Sequence, residues 1–227
     1  MTARTAEPDL ARLCAGTRQR ITSLVSGLAA AELAAPVPAC PAWSVRDVLA
    51  HLAATAEDVQ AGRLTGVPTE EQTAAQVARF ADRDLPGILA AWAAAAPAFE
   101  QAIAGFQVWP GVIDLASHEQ DIRGAVGRPG ARDSDAVWHA AGRLLAALRP
   151  PLPLRVVVED AEFLAGPADG TGTAPALQLT TSRFEAFRWR MGRRSRGQLA
   201  ALHWSGDPAG VLDHLVVFGP AAADVVE

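Results

Sequence analysis

Apolar residues recur at helical spacing through most of the first 149 residues. From residue 9 to 30, Leu10, Leu13, Ile21, Leu24, Val25 and Leu28 fall on one side of a helix. Pro36, Pro38 and Pro41 then withdraw backbone donors and disfavour helix, which makes 36–41 an extended connector. Ser44, with Asp47 three residues on, is a short capping box for a second helix. Val45, Val48, Leu49, Leu52, Ala56 and Val59 form its core face, and His51 falls on the flank beside Asp47 and Thr55. After a loop with Gly62, Gly66 and Pro68, Thr69-Glu-Glu opens a third helix. An Ala-rich fourth helix covers about 85–104 around Trp92 and Phe99, and Pro97 is expected to kink it or end it early. Pro110 suits the first turn of a fifth helix, stopped by Gly127-Arg-Pro-Gly130. Asp133 or Ser134 caps a sixth, containing Trp138 and Leu144.

Then the pattern changes. Arg-Pro-Pro-Leu-Pro153 has the composition of a linker. Leu154–Val158 and 176–181 are expected strands, separated by a Gly-rich turn region. Ser182 caps a helix through Phe184, Phe187, Trp189 and Met191. Leu199–Trp204 is expected as a third strand, and Pro208 as the start of a last helix ending near Phe218. The reading is α+β, mainly α: a helical domain at 1–149 and a small α/β domain at 154–227.

Composition narrows the function. Half the chain is hydrophobic, much of it alanine, yet no run approaches the roughly 18 uninterrupted apolar residues of a membrane span. The first eight residues have no apolar segment behind them, so secretion is not expected. Two cysteines, Cys14 and Cys40, make no disulfide framework, and a reducing cytoplasm is the expected location. A net charge of -5 argues against nucleic-acid binding. The dense basic cluster, Arg193, Arg194 and Arg196, fits a solvated turn or a carboxylate site. No Ser/His/Asp triad signature, phosphate loop or Cys-x-x-Cys is present.

The chemistry centres on Asp114-Leu-Ala-Ser-His118. Four residues apart on a helix, the carboxylate and the imidazole project from one face, as two metal ligands would. The best partner elsewhere is His51, so His51, Asp114 and His118 are the candidate ligands of one divalent metal with open positions. His139, His203 and His214 are read as structural or surface residues. Glu119 projects onto the apolar stripe of Val112, Leu115, Ile122 and Val126, where a carboxylate needs a partner. Arg123, four residues later, is the plain one. Asp121 and Arg46 are read as structural, and Cys40 as a buried small hydrophobe.

Two segments, Cys40-Pro-Ala-Trp-Ser-Val-Arg-Asp-Val-Leu-Ala-His-Leu52 and His118-Glu-Gln-Asp-Ile-Arg-Gly-Ala-Val-Gly-Arg128, resemble the signature stretches of the mycothiol-dependent maleylpyruvate isomerase family. That family belongs to the DinB/YfiT-like four-helix-bundle metalloproteins. Phe184–Ser195 and Trp204-Ser-Gly-Asp207-Pro resemble the small C-terminal α/β domain that accompanies such bundles. The resemblance implies a Zn2+-type site on His51, Asp114 and His118, with Asp114 standing where the family pattern has Glu. It also implies a mycothiol-type thiol as cosubstrate and Arg193 facing the carboxylate of a small electrophilic substrate. Isomerase and S-transferase chemistry both begin with thiolate attack, so both stay open here. A metal-dependent hydrolase and a non-catalytic metal- or ligand-binding module are the alternatives.

Overall fold

The computed structural model describes residues 7–64, 66–167 and 177–227, and the chain divides into two units, Met1–Gly130 and Ala131–Glu227. The first six residues, Ala176 and much of the expected Gly-rich turn lie outside the described residues.

In the first unit, Asp9 caps α1 (Leu10–Val25), whose Leu10, Leu13, Ile21 and Val25 are buried. A single turn, α2 (Ala30–Leu33), leads to the proline-rich connector. That connector folds back on itself as an antiparallel pair, β1 (Pro36–Val37) with β2 (Cys40–Ser44). Proline leaves its carbonyls free to accept, so an extended segment can still pair at a short edge. Then come α3 (Val45–Gln60), α4 (Glu70–Arg79), α5 (Leu85–Phe106) and α6 (Trp109–Ala125). The long helices α1, α3, α5 and α6 pack as a four-helix bundle, and α4 lies against α3.

Pro97 does not end α5, which continues past it to Phe106. The carbonyl four residues back belongs to Ala93, and both positions are exposed, so the acceptor that proline leaves unpaired lies on the solvent side of the helix. This helix is long and apolar enough to cross a membrane by length and composition alone. Within the unit it buries Ile88, Trp92, Phe99 and Ile103. Gly127, at φ 62, takes the left-handed position that closes α6.

The second unit begins before the expected boundary. Its first helix, α7 (Asp135–Ala146), packs on later elements through Leu145, and Leu148 just beyond it joins the same core. The proline linker therefore marks where helix must stop rather than where contacts separate. A four-stranded sheet follows, with β3 (Leu154–Val158), β4 (Ala161–Ala165), β5 (Leu177–Thr180) and β6 (His203–Trp204) in the order β4-β3-β5-β6. β3 pairs antiparallel with β4 and parallel with β5, and β5 pairs antiparallel with β6. Leu154, Val156 and Val158 alternate inward onto Ala186 and Trp189 of α8 (Arg183–Arg190).

Two expectations for this unit are overturned. Leu199–Trp204 is mostly not strand, because Ser195 and Gln198 form a reciprocal cap that winds α9 (Arg196–Ala200) first. The last helix reduces to one 3-10 turn at Leu212–His214. There the backbone is taken up by Arg190 instead: the Val217 N–H donates to the Arg190 carbonyl at 2.8 Å, and the Arg190 guanidinium donates to the Leu215 carbonyl.

Candidate metal centre

The Ser44 hydroxyl accepts from the Asp47 N–H at 3.2 Å, and the Asp47 carboxylate accepts from the Ser44 N–H at 2.9 Å. This cap starts α3 directly after β2 and places His51 two turns inside the bundle. On α6 the first-turn Pro110 leaves Asp114 and His118 one turn apart, facing α3. Asp114 Oδ2 lies 3.6 Å from His51 Nε2, and Asp114 Oδ1 lies 3.4 Å from His118 Nε2. The two rings meet edge to face, with centroids 5.3 Å apart. One ligand atom from each of His51, Asp114 and His118 falls within 4.8 Å of the others. The histidine side chains are 3% and 7% exposed and that of Asp114 is 37%, so the group opens to solvent on its carboxylate side.

Each ring is held on its far side. Gln76 Oε1 is 2.9 Å from His51 Nδ1, and Gln76 Nε2 donates to Asp58 at 2.8 Å. Asp58 also accepts from Arg63 and Arg79, each at 2.8 Å. Asp121 Oδ2 is 3.0 Å from His118 Nδ1, and the Cys40 thiol donates to the same oxygen at 3.6 Å. Trp43 walls the group, its ring 5.0 Å from that of His51 and 6.0 Å from that of His118.

Burial works against charge on His118, but Asp114 and then Asp121 hold it protonated well above its ordinary 6.5. Burial likewise opposes charge on Asp114, yet the charge held on His118 keeps its carboxyl well below the usual carboxylate range. A proton on His118 is thus the simplest cation the two carboxylates can hold, and any metal must displace it.

The residues fit a zinc-type ion. Two imidazole nitrogens and a carboxylate form the donor set of a catalytic site, and ligand atoms on a tetrahedron of such bond lengths stand roughly 3.3 Å apart. The observed 3.4 and 3.6 Å separations are close to that value. The Asp114 carboxylate reaches both rings.

Other expectations fare differently. Arg193 lies in the second unit, half-buried, with Nη1 donating to the Met191 carbonyl at 2.7 Å. His51 is buried, because α4 covers the flank where it sits. Glu119 pairs with Arg123 at 3.1 Å as expected, and also with Arg20 of α1 at 2.7 Å. Cys40 is half-buried and polar in its contacts rather than a buried hydrophobe. Arg46 is structural: it donates to the Phe80 and Ala81 carbonyls at the end of α4. Gln76, Asp58 and Trp43 were not singled out by sequence reasoning. Only Trp43 carried a signal, its place in the Cys40–Leu52 motif.

The fold is that of the mycothiol-dependent maleylpyruvate isomerases. A crystal structure of that enzyme is 15% identical over 85% of this chain and 92% of its own, with a TM-score of 0.58. A histidine-to-alanine mutant of it matches at 13% identity with the same coverage and score. Residues 14–115 match the family model described as the mycothiol maleylpyruvate isomerase N-terminal domain. Among curated proteins none matches.

Proposed function

We propose that this chain is a thiol-dependent metalloenzyme, with His51, Asp114 and His118 as the ligands of a divalent ion. The observation that carries the reading is the convergence of two imidazole nitrogens and one carboxylate within 4.8 Å of one another, inside a domain of the mycothiol maleylpyruvate isomerase type. A bound zinc-type ion would supply Lewis acidity that keeps a low-molecular-weight, mycothiol-type thiol deprotonated. Gln76 and Asp121 orient the two rings, and Trp43 shields them from water.

The substrate is a small electrophile bearing a carboxylate. Attack of the thiolate on an electrophilic double bond forms a C–S bond and moves the electron pair into the substrate carbonyl. Rotation about the resulting single bond and re-expulsion of the thiolate complete a cis–trans isomerisation. Protonation and release of the adduct complete an S-transfer instead. Cys14 and Cys40, joined by no disulfide, suit work in a reducing cytoplasm.

The test is to incubate zinc-loaded protein with mycothiol and maleylpyruvate, then with a generic electrophile, and follow isomer conversion and conjugate formation. Turnover that requires the thiol and is lost in His118→Ala supports the reading. Absence of both products with every electrophile overturns it.

A further inference from the structure

The buried side chains behind His51 do more than fill space. Gln76 is 1% exposed, and its amide stands between a carboxylate and an imidazole. A charged carboxylate only accepts hydrogen bonds, so the Gln76 atom 2.8 Å from Asp58 is its NH2 group. The carbonyl Oε1 must then face His51 Nδ1, at 2.9 Å. Thr55 Oγ1 also donates to Oε1, at 3.5 Å, which leaves no donor on the Gln76 face turned to the ring. The acceptor 2.9 Å from Nδ1 is within hydrogen-bond distance, whereas the Asp114 oxygen 3.6 Å from Nε2 is not, so in the neutral His51 ring the proton sits on Nδ1. Nε2, the nitrogen that faces Asp114, keeps its lone pair.

Asp58 sets this polarity and is itself fixed. Burial alone would raise its pKa, but the Gln76 bond, then Arg63 and Arg79, hold it below the usual carboxylate value. Arg79 also donates to the Ala54 carbonyl of α3 at 3.2 Å, tying the relay to the helix that carries His51. If the Gln76 amide were reversed, its NH2 would face Nδ1 and the ring proton would move to Nε2, where it would block a ligand position.

The geometry points to Asp58 and Gln76 as positioning residues that fix His51 as its Nδ1–H tautomer and present a free Nε2 to the site. The purpose of this relay rests on the metal-site reading of His51, but the tautomer itself is measurable without any ion.

The experiment is two-bond 1H–15N NMR of the imidazoles in metal-free protein at about pH 8, above the ordinary imidazole range, with zinc affinity measured in parallel by chelator competition. Gln76→Leu removes the acceptor. The exchange pair Asp58→Asn with Gln76→Glu keeps an acceptor at Nδ1 and a donor–acceptor contact behind it. Wild type is expected to show Nδ1–H. Gln76→Leu should populate Nε2–H and lose roughly 10–100-fold in zinc affinity, the usual cost of removing an outer partner of a metal-binding histidine. The exchange pair should keep both the tautomer and the affinity to within severalfold.

Nε2–H in the wild type, or an unchanged tautomer and affinity in Gln76→Leu, overturns the assignment. If Gln76→Leu does not fold, the exchange pair decides: Nδ1–H supports the relay and Nε2–H sinks it. A wild type that binds no zinc but shows Nδ1–H would remove the metal reading and leave the relay standing.

Discussion

Asp114 Oδ2 stands 3.6 Å from His51 Nε2, so a carboxylate of α6 meets an imidazole of α3 across the bundle. The same carboxylate reaches His118, which makes it the link between the two rings. Asp114→Ala is therefore expected to lower zinc affinity by at least the roughly 10–100-fold that loss of an outer partner costs. Asp114→Glu should retain binding better than Asp114→Ala, because the donor type survives. Chelator competition reads both, and an Asp114→Ala affinity equal to wild type would remove Asp114 from the ligand set.

Glu119 has no exposed surface and is held by Arg20 and Arg123. Glu119→Ala would leave two guanidiniums partly inside the bundle without their carboxylate. The expected loss is on the order of 3 kcal/mol in urea unfolding, the low end for a broken buried pair, since Arg20 keeps access to water. Arg123→Ala should cost clearly less, because Arg20 still neutralises the carboxylate.

Most of the architecture was legible before any coordinates. Ser44, Thr69 and Ser182 cap the helices they were expected to open, and of the two candidates Asp133 and Ser134 it is Ser134 that caps α7, since capping is local chemistry. The His51, Asp114 and His118 grouping was legible for a similar reason: one-turn spacing is local, and a motif supplied the distant partner. What was not legible depends on packing. α6 buries an unbroken polar run from Ser117 to Asp121, so its hydrophobic pattern hides which face matters. Each of His118, Glu119 and Asp121 has an oppositely charged partner from elsewhere or within one turn. Gln76 sits on a helix with otherwise exposed or half-exposed residues, and nothing in its neighbours marks it as buried. The α9 turn was missed because Leu199 to Trp204 is apolar enough for a strand, while the deciding bond lies at Ser195.

The pair of cysteines offers a contrast in reactivity. Cys14 is 1% exposed, and burial, helped by the charge of Glu100, pushes its thiol up to about 12. Cys40 is half-buried. Iodoacetamide at about pH 8, near the ordinary thiol range, should modify Cys40 alone in the native protein and both cysteines after unfolding. Mass spectrometry of the peptides checks this, and native labelling of Cys14 would contradict it.

The Asp58 relay predicts the acid limb of stability. The folded pKa of Asp58 is depressed by Gln76, Arg63 and Arg79 against the opposing effect of burial. Its contribution is therefore fully present above the unfolded value of about 3.9 and fades as pH falls through the folded value. Asp58→Asn should lower Tm at neutral pH and flatten the fall in Tm below about pH 4. Parallel wild-type and variant curves through that range would contradict the assignment.

In the second unit, the fully buried Arg188 donates to the carboxylate of Glu227, which also accepts from Arg194 at 3.2 Å. Glu227→Ala withdraws that charge from a guanidinium with no access to water. The expected cost is about 3 kcal/mol in urea unfolding, and a loss under about 0.5 kcal/mol, the scatter of surface substitutions, would show that Arg188 does not depend on it.

The most direct test is divalent metal content of protein purified without affinity-tag metals, measured by plasma mass spectrometry at neutral pH. Wild type is predicted to carry about one ion per chain, as a three-ligand site of this type should, and His51→Ala and His118→Ala far less. Equal metal in wild type and both variants would contradict the claim that these side chains form a metal site.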